Sequence, residues 1–183
     1  SKVDSQQALL VNTLGTLKLI RAAKRAGAKR FIYFSTIHVY GPSLSGVITE
    51  STLARPQHPY AITHRAAEDF VIAADKEKEG LSAIVFRLSN GFGAPADHLI
   101  NRWTLVVNDL CRQAVTQRKL VLKSSGLQSR DFISLTDIAR AAIHALVISA
   151  HKFDDSIFNL GGENAFTIME MAEIIVKRCG KVL

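Results

Sequence analysis

Across 183 residues, a hydrophobic content of 48% is enough for one buried core and slightly short of two independent ones. A net charge of +7 permits attraction to nucleic acid, anionic membrane or phosphorylated small molecules. The basic residues are dispersed, however. Their densest group, "RAAKRAGAKR" from Arg21 to Arg30, reads as the polar face and C-terminal end of a helix, so a nucleic-acid-binding domain is the least favoured class.

The elements follow in chain order. From Ser5 to Ala26, Leu10, Leu14, Leu17 and Ile20 mark one helical face and Leu9, Leu19 and Ala23 a second, so this helix is covered on two sides. Gly27 ends it. "KRFIYFST" is a buried strand, and "VYGPSLSG" is loop. Pro59 starts a helix whose stripe runs Tyr60, His64, Ala67, Val71, Ala74, and Gly80 closes it. "LSAIVFRLSNGFG" is a second strand running into a glycine-rich turn, Trp103 to Gln117 a helix, and "KLVLKSS" a short strand. Capping boxes at Ser134 to Asp137 and Thr167 to Glu170 start two more helices, with the strand "SIFNLGG" between them. Strands alternating with helices imply parallel crossovers and an α/β sheet.

Several classes are excluded by what the chain lacks. Cys111 and Cys179 match neither a disulfide framework nor a metal-ligand spacing, which suits a reduced, cytoplasmic setting. The six histidines form no H-x-x-x-H or H-E-x-x-H pattern, so no metal site is expected. No apolar run reaches membrane-span length, and "SKVDSQQALL" does not have signal-peptide form.

Six segments, in order, resemble the extended short-chain dehydrogenase/reductases, the NAD-dependent epimerase/dehydratase family of nucleotide-sugar type. "NTLGTLKLIRAA" is similar to N-x-x-G-T-x-x-L, "FIYFSTIHVYG" to a serine/threonine strand ending in V-Y-G, and "HPYAITHRAAE" to P-Y-x-x-S-K-x-x-x-E. "FRLSNGFGAP" is similar to R-x-x-N-V-Y-G-P, "SRDFISLTDIARA" to R-D-F-I-H-V-x-D-x-A, and "FNLGGENAFTIMEMAEII" to the Y-N-V-G strand and its helix.

The resemblance implies the second half of a partial, Rossmann-like, doubly wound parallel sheet, with part of a small substrate-binding α/β region. Residues 1–183 then form one partial domain. Its 1–95 portion holds the catalytic residues, and 96–183 mixes the substrate-binding region with a returning strand and helix. Tyr60 would exchange a proton with the substrate and Thr36 would bond the same oxygen; Asn12 and His64 complete the catalytic set. Tyr60, His64 and Ser89 would meet the nicotinamide end of NAD or NADP, and Asn90 and Arg130 would hold the diphosphate of a nucleotide-sugar substrate. A homodimer through helices 5–26 and 59–79 is implied as well.

Two departures from the pattern matter. His64 stands where the family has lysine: a tyrosine of reference pKa ~10 needs a nearby cation to act as a base near neutrality, and an imidazole of reference pKa ~6.5 is mostly neutral there. The chain also contains no G-x-x-G-x-x-G loop for a dinucleotide pyrophosphate, and begins at what resembles the family's fourth helix. A non-catalytic binding or scaffold protein of the same fold is therefore the alternative reading.

Overall fold

Asp4 opens the first helix by accepting the backbone N–H groups of Gln6 and Gln7, and in the computed structural model, which describes residues 4–42, 45–77, 80–97, 99–148 and 155–180, everything downstream follows an α/β alternation. The helix expected over 5–26 is not uniform. α1 (Ser5–Ala8) and α2 (Thr16–Arg25) flank a π-helical segment, Leu9–Gly15. One hydroxyl competes with its ladder, as Thr16 Oγ1 donates to Asn12 O at 2.6 Å, and another ties it elsewhere, as Thr13 Oγ1 donates to Thr63 O at 2.9 Å. The turn after α2 places Gly27 at φ 69°, where glycine alone is unstrained.

The chain divides into two compact units, residues 1–88 with 141–160 and residues 89–140 with 161–183. In the first, β1 (Arg30–Thr36), β2 (Ser82–Leu88) and β5 (Ile157–Leu160) form an all-parallel sheet in the order β1-β2-β5. β2 is central and buried on both faces, as its apolar run requires. Its residues alternate between two cores. Ala83 and Val85 pack with Ile20 of α2 and Val71 and Ala74 of α3 (Pro59–Lys76), whereas Ile84 and Phe86 pack with Ala145 of α5 (Leu135–Val147). Helices thus cover both faces, and the fold is Rossmann-like.

In the second unit, β3 (Asn90–Phe92) pairs parallel with β4 (Ser129–Ser134), which pairs antiparallel with β6 (Ala165–Thr167). α4 (Val106–Gln117) and α6 (Ile168–Cys179) close a core of Val107, Leu110, Phe132, Ile168, Met171 and Ile175. Thr167 and Glu170 form the expected capping box. Two expectations need correction. The strand expected over "LSAIVFRLSNGFG" is two strands in different sheets, β2 and β3, interrupted at Ser89. "KLVLKSS" is not a strand: Gln113 Oε1 takes the Val121 N–H at 2.7 Å, and Leu120 and Leu122 turn onto the core, so no ladder partner is needed.

Candidate active site

The first unit gathers Thr36, Tyr60, His64 and Asn12. Thr36 ends β1 at the C-terminal edge of the parallel sheet, where open α/β folds place their ligands, and its Oγ1 accepts the His38 N–H. Tyr60 lies in the first turn of α3, entered through Pro59 and capped by His58 Nδ1 on the Tyr60 N–H at 3.3 Å. Thr36 is a near neighbour of the Tyr60 phenol and acts on its acidity. Tyr60 is 38% exposed and opens onto a cleft of about 510 Å³ that is also lined by His38, Gly41, Gln57 and His58. Gly41, at φ 101°, is required there, because a Cβ would sit 2.7 Å from Arg55 O.

Asn12 acts on this tyrosine from behind. Its Nδ2 donates to Thr63 Oγ1 at 3.0 Å, and that hydroxyl bonds Pro59 O at 2.9 Å and Tyr60 O at 3.0 Å. The π-helical segment is therefore fastened to the turn that carries Tyr60. His64 packs edge-to-face on the Tyr60 ring, with centroids 4.5 Å apart, but its Nδ1 bonds the hydroxyl of Tyr33 on β1 at 2.8 Å. Burial pushes the Tyr60 phenol up from its ordinary value, and the neighbouring Thr36 offsets part of this. Burial also pushes the His64 imidazole down, against the pull of the Glu68 carboxylate. Tyr60 is thus held as a protonated phenol beside a neutral ring.

The depressed His64 fixes a sign for stability. The unfolded chain takes up this proton first, so stability is full above about pH 6.5 and falls as pH drops from there toward the folded-state value. Thermal unfolding of wild type should therefore lose more between about pH 7.5 and 5.5 than that of His64→Asn. Equal losses would contradict it.

The remaining expected site residues lie in the second unit. Asn90 Nδ2 donates to Asp131 O at 2.8 Å. Arg130 is exposed on β4 and, among the described residues, makes no ion pair, while Asp131 Oδ1 takes the Gly162 N–H at 2.7 Å. Ser89 Oγ is buried and has no hydrogen-bond partner among the described residues. Among the described residues no cluster of His, Cys, Asp or Glu could hold a metal, and no helix is long and apolar enough to cross a membrane.

Sequence reasoning missed the charged network beneath the site. Glu68, 0% exposed, is gripped by Arg87, 3% exposed, through Nε to Oε1 at 3.0 Å and Nη2 to Oε2 at 2.7 Å, and Ser35 Oγ donates to Oε1 at 2.5 Å. Arg87 Nη1 donates onward to Tyr40 Oη at 2.8 Å, and Tyr40 Oη to Asn159 Oδ1 at 2.6 Å. A lone arginine inside "AIVFRL" was the available signal, because a buried cation demands a partner.

Residues 1–161 match the family model described as NAD dependent epimerase/dehydratase family. The chain belongs to that family. Among curated proteins it is similar to dTDP-D-glucose 4,6-dehydratase of Homo sapiens, 31% identical over 91% of this chain and 45% of the relative. UDP-glucose 4-epimerase of Streptomyces lividans is 29% identical over 92% of this chain and 53% of the relative. Among solved structures, dTDP-glucose 4,6-dehydratase from Bacillus anthracis in complex with NAD superposes with a TM-score of 0.78 at 27% identity, covering 97% of this chain and 55% of that one. The chain spans about half the length of the curated relatives it matches.

Proposed function

We propose that this chain carries the proton-transfer site of an NAD- or NADP-dependent oxidoreductase acting on a nucleotide-linked sugar. The observation that carries the reading is Tyr60 opening onto a cleft with Thr36, at the C-terminal end of β1, as its neighbour. Tyr60, kept protonated by burial, donates its proton to a sugar carbonyl oxygen, and Thr36 bonds the same oxygen. In the reverse direction Tyr60 takes the proton from a sugar hydroxyl, which requires the phenolate. Asn12, through Thr63, keeps the tyrosine's turn in place for either step.

A bound NAD or NADP supplies the hydride acceptor and donor. By the family resemblance, Tyr60, His64 and Ser89 are the residues that would hold its nicotinamide end; the Ser89 hydroxyl, buried with no hydrogen-bond partner among the described residues, is free to meet a polar group. Arg130, with no carboxylate partner among the described residues, suits a substrate diphosphate, and Asn90 is its neutral companion. A mixture of nucleotide sugars offered to wild type and Tyr60→Phe tests the reading: turnover should be present in the first and lost in the second.

A non-catalytic scaffold is the second reading, favoured by one observation: His64 is neutral and its Nδ1 is bonded to Tyr33, leaving Tyr60 without a lysine-like cation. Absence of turnover in both proteins would support it.

Assembly belongs to the same proposal. Leu10, Val11, Leu14 and Leu19 are exposed along the first helical stretch, as are Ile62 and Phe70 on α3, and α2 packs on α3. Such a patch suits a second copy of this chain meeting helix pair to helix pair. Sedimentation should show a dimer at micromolar concentration that Leu10→Glu with Leu14→Glu converts to monomer; a wild-type monomer would contradict the proposal.

A further inference from the structure

β1 brings a second phenol to His64. Tyr33 Oη lies 2.8 Å from His64 Nδ1, with ring centroids 5.8 Å apart, while Tyr60 packs on the same imidazole at 4.5 Å. Thr16 of α2 spends its hydroxyl proton on Asn12 O at 2.6 Å, so it has none to give to the Tyr33 hydroxyl. Tyr33 thus gives the ring beside Tyr60 a hydrogen-bond partner of its own. The acid-base pair Tyr60–Thr36 makes no use of it.

The chemistry of the pair sets the position of a proton. A neutral imidazole has one N–H and one acceptor nitrogen. A phenol O–H is a stronger donor than an imidazole N–H, and an imidazole nitrogen a stronger acceptor than a phenol oxygen. Tyr33 therefore donates and Nδ1 accepts, which leaves the ring proton on Nε2. We propose that Tyr33 is a positioning residue: its hydroxyl fixes His64 as the Nε2–H tautomer and holds the ring against Tyr60. His64 then presents a neutral hydrogen-bond donor where the resemblance places a lysine ammonium. Donation is kept and the permanent charge is lost.

The consequence for turnover rests on the reading of Tyr60 as the proton-transferring group; the tautomer does not. Long-range ¹H–¹⁵N correlation spectra of the histidine-labelled protein, with His64 assigned through His64→Gln, separate the two. Wild type near neutral pH should give the Nε2–H pattern, and Tyr33→Phe should shift His64 toward a mixture of tautomers. In the same variant kcat should fall roughly 10- to 100-fold with KM nearly unchanged, as for a misplaced catalytic neighbourhood. A wild-type Nδ1–H pattern would overturn the proposal without any variant being made. So would a Tyr33→Phe protein with unaltered His64 signals, or with altered signals and unaltered kcat. If wild type has no turnover, or Tyr60→Phe keeps it, the functional reading fails and the spectra still decide whether Tyr33 fixes the ring.

Discussion

Arg87→Met is expected to destabilise the fold by about 3–5 kcal/mol, the cost of leaving one member of a buried ion pair alone. Glu68 is fully buried and has Ser35, Arg87 and the more distant Arg65 around its oxygens, so without Arg87 most of its compensation is gone. The loss spreads outward. Arg87 also orients Tyr40, which bonds Asn159, and Asn159 in turn holds the 45–58 segment through Ile48 O at 3.1 Å and Glu50 Oε1 at 2.7 Å. That segment supplies Gln57 and His58 to the cleft. Urea unfolding of Arg87→Met and of Arg87→Met with Glu68→Gln measures both parts: the double variant should recover much of the loss, because no charge is then buried alone. A single-variant loss below about 1 kcal/mol, the scale of a surface pair, would contradict the account.

The second large effect concerns the ring beside Tyr60. Tyr60→Phe should lower turnover by roughly 10²- to 10⁴-fold, the usual contribution of a positioned acid-base group. His64→Lys should raise turnover at pH 7. A phenol of reference pKa ~10 must be lowered by roughly three units to serve as a base near neutrality, about 4 kcal/mol that a permanent cation supplies and a neutral imidazole does not. The structure sharpens this expectation, since burial moves both Tyr60 and His64 toward their uncharged forms. Lysine at 64 also forfeits the Tyr33 acceptor, so a neutral or harmful outcome would mean that the Tyr33–His64 bond matters more than the missing charge.

Local signals made much of the first unit legible. Pro59 before a helical stripe, Gly27 after one, and the β-branched and aromatic run "RFIYFST" each have one short-range physical meaning, and α3, the end of α2 and β1 follow them. Long-range pairing was less visible. β3, β4 and β6 are short strands whose partners lie far along the chain, so no window of sequence displays their ladders. The π-helical segment was hidden for the same reason: Thr13 and Asn12 look like ordinary helix residues until Thr63, some fifty positions on, supplies their partner. At the candidate site, motif order singled out Thr36, Tyr60, His64 and Asn12, which the fold brings into one unit. It did not reveal that His64 turns to Tyr33, because a hydrogen bond between β1 and α3 leaves no trace in either segment alone.

The central claim is that Tyr60 transfers a proton to or from a nucleotide-linked sugar. It is tested most directly in the protein as its gene encodes it, with wild type and Tyr60→Phe offered UDP-glucose and dTDP-glucose with NAD or NADP, and their 4-keto forms with NADH or NADPH, following the sugar product in every case and the oxidation of the reduced cofactor with the keto forms. The account predicts turnover of at least one of these by wild type and a loss of at least about 100-fold in Tyr60→Phe with the fold intact. Undiminished turnover in Tyr60→Phe, or none in wild type with any of them, would contradict it.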